Sequence, residues 1–106
     1  DELLAEFAAL PAGRREALVD ALKAELDRRQ RRAPKEALPL SERLVSLAPL
    51  AGRRAAWCHR GRAVALHANG LSAAAIEHYR RALELHTAAG EALEAARVRR
   101  SLVDVL

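Results

Sequence analysis

Apolar residues recur along this chain at the three- and four-residue spacing of an α-helix, in six successive stretches separated by Gly or Pro. Leu3, Leu4, Phe7, Ala8 and Leu10 form the first stripe, behind acidic Asp1 and Glu2, which suit a helix N-terminus. Leu10-Pro11-Ala12-Gly13 breaks it, because Pro lacks a donor and biases its predecessor away from helix. A longer helix is predicted over 14–32 on Leu18, Leu22 and Leu26, flanked by Val19 and Ala21, and Pro34 ends it. The next, over 35–48, carries Ala37, Leu40, Leu44 and Leu47. Its Pro39 is tolerable if the helix starts at or after Glu36, where the first backbone donors have no intrahelical acceptor.

The pattern is sharpest over Trp57–Leu85. Trp57, Gly61, Val64 and Ala68 share one face of a helix over 53–69, and Asn69-Gly70 supplies a left-handed stop. Ser72 is placed to cap a helix over 71–86, whose stripe is Ala75, Ile76, Tyr79, Ala82, Leu83 and His86. Gly61 and Ala75 are expected to face each other where the two backbones approach closely, with Trp57 and Tyr79 filling the space beside them. After Thr87-Ala88-Ala89-Gly90 a last helix runs over 90–106 on Leu93, Ala96, Leu102, Val103 and Leu106. Gly13, Gly52 and Gly90 lie 39 and 38 residues apart, and each is read as opening a helix. The chain therefore reads as repeated helix pairs: a capping helix over 1–12, repeats over 13–51 and 52–89, and a half repeat over 90–106.

Trp57, Gly61, Gly70, Ala75, Tyr79 and Ala82 resemble the tetratricopeptide repeat, in which W-x2-L-G is followed by A-x3-F/Y-x2-A. Arg60, Val64 and Thr87 depart from residues usual in that family, and the first helix is about two residues too long for its 34-residue form. The resemblance implies an all-α solenoid of antiparallel helix pairs, about two and a half repeats long, that binds proteins on a concave face. Ala-, Leu- and Arg-rich helices joined by Gly90-Glu91-Ala92-Leu93-Glu94-Ala95-Ala96-Arg97 also resemble the N-terminal arrays of actinobacterial proteins that end in a caspase-like CHAT domain. Similar arrays occur in bacterial transcriptional regulators. By that resemblance the chain is either a scaffold module or the regulatory array of a protease whose catalytic part lies elsewhere.

Mapped residue by residue with Gly61 as the close-packing position, the family's groove positions fall on Ala55, Cys58, Arg62, Ala65 and Leu66. With Val103 in the same role in the last helix, they fall on Arg97, Arg100 and Asp104. Cys58, Arg62, Arg97 and Arg100 are thus the candidate peptide contacts, the arginines for an acidic ligand held bidentately. The two-Lys, two-Asn carboxylate clamp of chaperone-binding members has no counterpart, since the chain has only Lys23, Lys35 and Asn69.

Composition narrows the alternatives. Sixteen of the eighteen basic residues are Arg, yet the net charge is only +4 with both signs interspersed, ordinary for a protein surface. Arg28, Arg29, Arg31 and Arg32 suit a helix C-terminus, and no aromatic is interleaved for base stacking, so nucleic acid is the less favoured partner. One Cys excludes an internal disulfide and fits a reducing compartment. No apolar run approaches the roughly 18 residues of a membrane span and no signal peptide is visible, so a cytoplasmic location is expected. The chain opens at Asp1 without Met and is read as a piece of a longer protein.

No catalytic, metal or cofactor site is expected. Cys58 and His59 point about 100° apart on one helix, too divergent for a nucleophile and its base. His59 and His67, like His78 and His86, are eight residues apart, whereas ligands on one helix prefer a spacing of four. Leu102, Val103, Val105 and Leu106 crowd the last turn without a polar cap, and a homodimer through the 90–106 helix is expected to cover them.

Overall fold

The computed structural model describes residues 2–106; Asp1, read with Glu2 as the acidic start of the first helix, lies outside them. The described residues are all-α, with helices α1 (Glu2–Ala9), α2 (Ala12–Arg32), α3 (Pro34–Ser46), α4 (Ala55–Ala68), α5 (Ser72–Ala88) and α6 (Ala92–Val105). Two 3-10 turns, Ala48–Leu50 and Gly52–Arg54, bridge α3 to α4. Each helix from α2 onward packs on its neighbours in sequence, and α2 also packs on α4. Among the described residues no helix is long and apolar enough to cross a membrane.

Local chemistry sets the breaks. Ala33, preceding Pro34, is extended (φ −157°, ψ 100°) and separates α2 from α3. Pro34 rather than Glu36 opens α3, so Pro39 falls inside the helix and not among its first four residues. The fixed φ of Pro34 suits a first helical position, which is why the helix starts earlier than expected. Gly13 likewise falls within the first turn of α2, while Gly52 and Gly90 precede α4 and α6.

Helices α4 and α5 end alike. The Leu71 N–H donates to the Leu66 carbonyl at 2.9 Å and Gly70 N–H to His67 at 3.0 Å. Glu91 repeats the first bond to His86 at 2.9 Å and Gly90 the second to Thr87 at 3.1 Å. This is the Schellman closure, and it needs the left-handed φ of 78° at Gly70 and 74° at Gly90. Ser72 makes no side-chain cap; it is the first residue of α5, behind Leu71.

Two apolar clusters form the core. Phe7, Val19, Leu26, Leu44, Leu47, Cys58 and Ala65 unite α1 to α4, and Ala63, Tyr79, Ala82, Val98 and Leu102 unite α4 to α6. In α2 the inward face is Val19 and Leu26, with Leu18 and Leu22 half-buried and Ala21 exposed.

The inward face of α4 differs from the expected stripe. Ala56, Cys58, Gly61, Ala63, Ala65 and Leu66 are buried, whereas Val64 and Ala68 are exposed and Trp57 is half-buried. Gly61 is a close-packing position, but a Cβ placed there would lie 2.9 Å from Leu26 Cδ2 and 3.1 Å from Leu44 Cδ2. Its neighbours are therefore α2 and α3, not Ala75 of α5. In α6, Ala95, Val98 and Leu102 are buried and Val103 is 72% exposed, so Val103 holds no close-packing role.

Gly61→Leu is expected to destabilise the fold by about 1–3 kcal/mol or more, because methyl groups of two helices already occupy the site. Gly61→Ala should cost much less: flexible leucine ends can yield, and Ala regains about 0.5–1 kcal/mol of helix preference. Thermal unfolding of both variants checks the pair; equal midpoints would remove the three-helix contact as a constraint.

Candidate functional site: the groove between α2 and α4

Two turns of α4 bring Trp57, Arg60 and Val64 to a single side, facing α2. Between the two helices lies an open groove of about 400 Å³ lined by Asp20, Lys23, Ala24, Asp27, Arg54 and Trp57. A smaller recess of about 90 Å³ adjoins it around Gln30, Arg60, Gly61 and Val64. Two ion pairs tie the walls together, Arg53 Nε to Glu16 at 2.7 Å and Arg54 Nε to Asp20 at 2.8 Å, and Lys23 pairs with Asp27 at 3.6 Å within α2.

Trp57 is the centre of this surface. The Arg60 guanidinium lies 4.2 Å from its ring centroid and the Lys23 ammonium 5.5 Å, both within cation–π range. His86 meets the indole edge-on at 5.6 Å. Arg60 then donates to Glu94 of α6 at 2.7 Å, and Arg97 donates to the same carboxylate at 2.8 Å. The hydrogen bond from Arg60 holds the Glu94 carboxyl below the usual carboxylate range. His86 is fully buried, with Nδ1 2.9 Å from Glu91 and Nε2 3.4 Å from Arg60. Arginine only donates, so His86 Nε2 accepts and Nδ1 carries the proton toward Glu91. This network joins α4, α5 and α6 at the groove's far end.

The sequence-derived contact residues fall elsewhere. Cys58 is fully buried among the α3–α4 core residues and presents nothing to a ligand; burial pushes its thiol up to about 12, so it is also no nucleophile at neutral pH. Ala65 and Leu66 are buried as well. Arg62 turns into α3, donating to the Leu38 carbonyl and to Ser41 Oγ, both at 3.0 Å. Arg97 and Arg100 are exposed on α6, and only Arg97 is linked to the groove network, through Glu94. The α4 residues that line this groove stand about one position from the mapped ones, which on a helix turns a side chain by about 100°. Lys23, Asp20 and Asp27 were missed altogether. Their signal was present as the i, i+3 and i+7 spacing of polar groups along α2, opposite the Trp57–Arg60 step.

The arginine run at the end of α2 is half neutralised, two carboxylates facing four arginines. Arg28 and Arg29 both bond Glu25, at 2.9 and 3.2 Å, and Arg32 bonds Glu36 at 3.0 Å. Within single helices the histidines stay apart, as their spacing implied. Across helices His59 meets His78, with Nδ1 atoms 3.1 Å apart, a pairing that no single-helix spacing reveals. Among the described residues no group of three or more His, Cys, Asp or Glu converges to hold a metal.

No protein-family model matches the chain, and no curated protein or solved structure matches it either. The arrangement itself offers recognition chemistry: an aromatic ring, paired charges and open space.

Acid should weaken this fold in two steps of the same sign. Burial, then the neighbouring His78 and Arg81, push His59 down to about 4 from 6.5, and burial and Arg62 lower His78 in the same direction. As pH falls from about 6.5 toward 4 the unfolded chain takes these protons first, so native stability declines across that window. Below about 4.5 Glu94 adds to the loss, since its carboxylate stays ionised longer in the folded state. Thermal midpoints should drop between about pH 7 and pH 4.5, and His59→Gln should flatten the upper part of that drop. A midpoint independent of pH down to about 4.5 would contradict the assignment.

Proposed function

We propose that the chain is a non-catalytic protein-interaction module of tetratricopeptide-like architecture, with α2–α3 and α4–α5 as helix pairs and α6 opening a third. The order of contacts supports the reading. Along α4, Asn69 bonds the Pro34 carbonyl, Arg62 bonds Leu38 and Ser41, and Gly61 faces Leu44, as for helices running in opposite directions. Against α2 the order is Arg53–Glu16, Arg54–Asp20, Trp57–Lys23 and Gly61–Leu26, as for helices running in the same direction. Alternation of this kind places the first helices of successive pairs side by side.

The observation that carries the function is the open groove at Trp57. Its ligand, on this reading, is a segment of another protein that carries acidic groups, which exchange with Asp20 and Asp27 for Arg54 and Lys23. A buried-edge aromatic with flanking arginines is the residue type that dominates binding energies at protein interfaces. A photo-crosslinker placed at Ala24, in the groove, should capture a discrete partner, whereas one at exposed Ala73 on α5 should not. Lys23→Glu should abolish the Ala24 adduct. Capture that is equal from both positions, or unaffected by the charge reversal, would overturn the reading.

The second surface is on α6, where Leu93, Val103 and Leu106 are 63%, 72% and 78% exposed. Their exposure supports association of two copies through this helix, each shielding the other's apolar side chains. Sedimentation at tens of micromolar should give a dimer mass for the parent and a monomer mass when Val103 and Leu106 are changed to Glu. A monomeric parent would remove the dimer and leave the groove untouched.

A further inference from the structure

We propose that His59 and His78 form a two-imidazole clamp for a divalent transition-metal ion, with Cu²⁺ preferred. The two rings come from separate helices, α4 and α5, and their Nδ1 atoms converge to 3.1 Å. The ring centroids are 5.3 Å apart with the planes inclined by 25°. With the nitrogens so much closer than the centroids, the rings meet edge to edge, each Nδ1 directed at the other. In the metal-free protein one Nδ1–H therefore donates to the other Nδ1, and the two imidazoles hold different tautomers.

That separation is also a chelating one. Metal–imidazole bonds of about 2.0–2.1 Å at near-tetrahedral or square angles hold two nitrogens roughly 3 Å apart. A rotation of each ring by about 40° turns both lone pairs toward a common point. The proton on the donating Nδ1 moves to Nε2 of the same ring, so the clamp forms with no net release of protons. Both rings are half-buried and resist protonation, which keeps them available as ligands at neutral pH. An open cleft of about 470 Å³, lined in part by His59, Pro49, Leu85 and Arg81, admits the ion and the waters that complete its coordination.

The surroundings select the metal. Arg62 and Arg81 act on the histidines as positive charges, opposed by Glu77 next to His78. A cation that binds weakly to nitrogen, such as Mg²⁺ or Ca²⁺, gains too little to enter. Imidazole bonds strengthen along the series to Cu²⁺, so copper overcomes the repulsion best, followed by Ni²⁺ and Zn²⁺.

Trp57, the only tryptophan, lies two residues before His59 and reports occupancy. Titration with Cu²⁺ should quench its fluorescence saturably at one ion per chain. His59→Gln and His78→Gln, each checked for helical content, should lose that phase, while His67→Gln, on the exposed side of α4, should retain it. A readout on the unaltered protein is independent of the variants: with saturating Zn²⁺, the ring nitrogen resonances should show both His59 and His78 as Nε2–H tautomers. Quenching that survives both Gln variants, or rings that keep their original, unlike tautomers with Zn²⁺, would overturn the clamp.

Discussion

Everything else in this protein depends on how closely α4 can be approached. It packs against α2, α3, α5 and both 3-10 turns, and it is built for that from Ala, Gly and Cys on its buried faces. At Gly61 the leucine methyls of two other helices come so near that a Cβ would crowd both. Large side chains at these positions would push the neighbours apart and open voids, and interiors packed as densely as crystals tolerate neither. Small residues bury little apolar area themselves. The area instead comes from the leucines and Phe7 that surround the helix.

Because the buried faces of α4 hold little bulk beyond Leu66, its other large and polar residues are confined to the remaining directions. Trp57 and Arg60 emerge toward α2 and α6, Arg62 and Asn69 toward α3, and His59 toward α5. Each then finds a partner on the helix it faces. Arg62 donates to the Leu38 carbonyl and to Ser41 Oγ, while the fully buried Ser41 hydroxyl itself donates to Leu38, so every polar group at this crossing has a partner. The Arg60–Glu94 pair, with both side chains largely shielded, holds α6 to α4 beyond the reach of the apolar contacts. Packing and recognition chemistry are thus two consequences of the same crowding.

The chemistry of the exposed charges is quieter. Most ion pairs on α2 and at its end are between partly or fully solvated groups, and such pairs contribute about 0.2–1 kcal/mol each. Their effect is to lower the potential: an arginine run that looks basic in sequence is half compensated by Glu25 and Glu36. What distinguishes the groove is that its cations, Lys23 and Arg54, are shielded beside Trp57 while Asp20 and Asp27 stand more open.

The sequence by itself determined the all-α class, six helices, and their ends to within a few residues, because those rest on local physics. Helical periodicity, Pro34 and the glycines at 70 and 90 act over a turn or less of chain. It also determined that Tyr79, Ala75 and Ala82 are core. Only the tertiary structure decided which way α4 is rotated, since an Ala-rich helix has no strong apolar moment to orient it and a one-residue slip redirects every side chain. That rotation took Cys58 and Arg62 out of the groove and put Trp57 and Arg60 into it. It also decided that His59 meets His78 and that Glu94 meets Arg60, pairings between residues 19 and 34 positions apart. No local rule encodes them, because they follow from the angles at which whole helices pack.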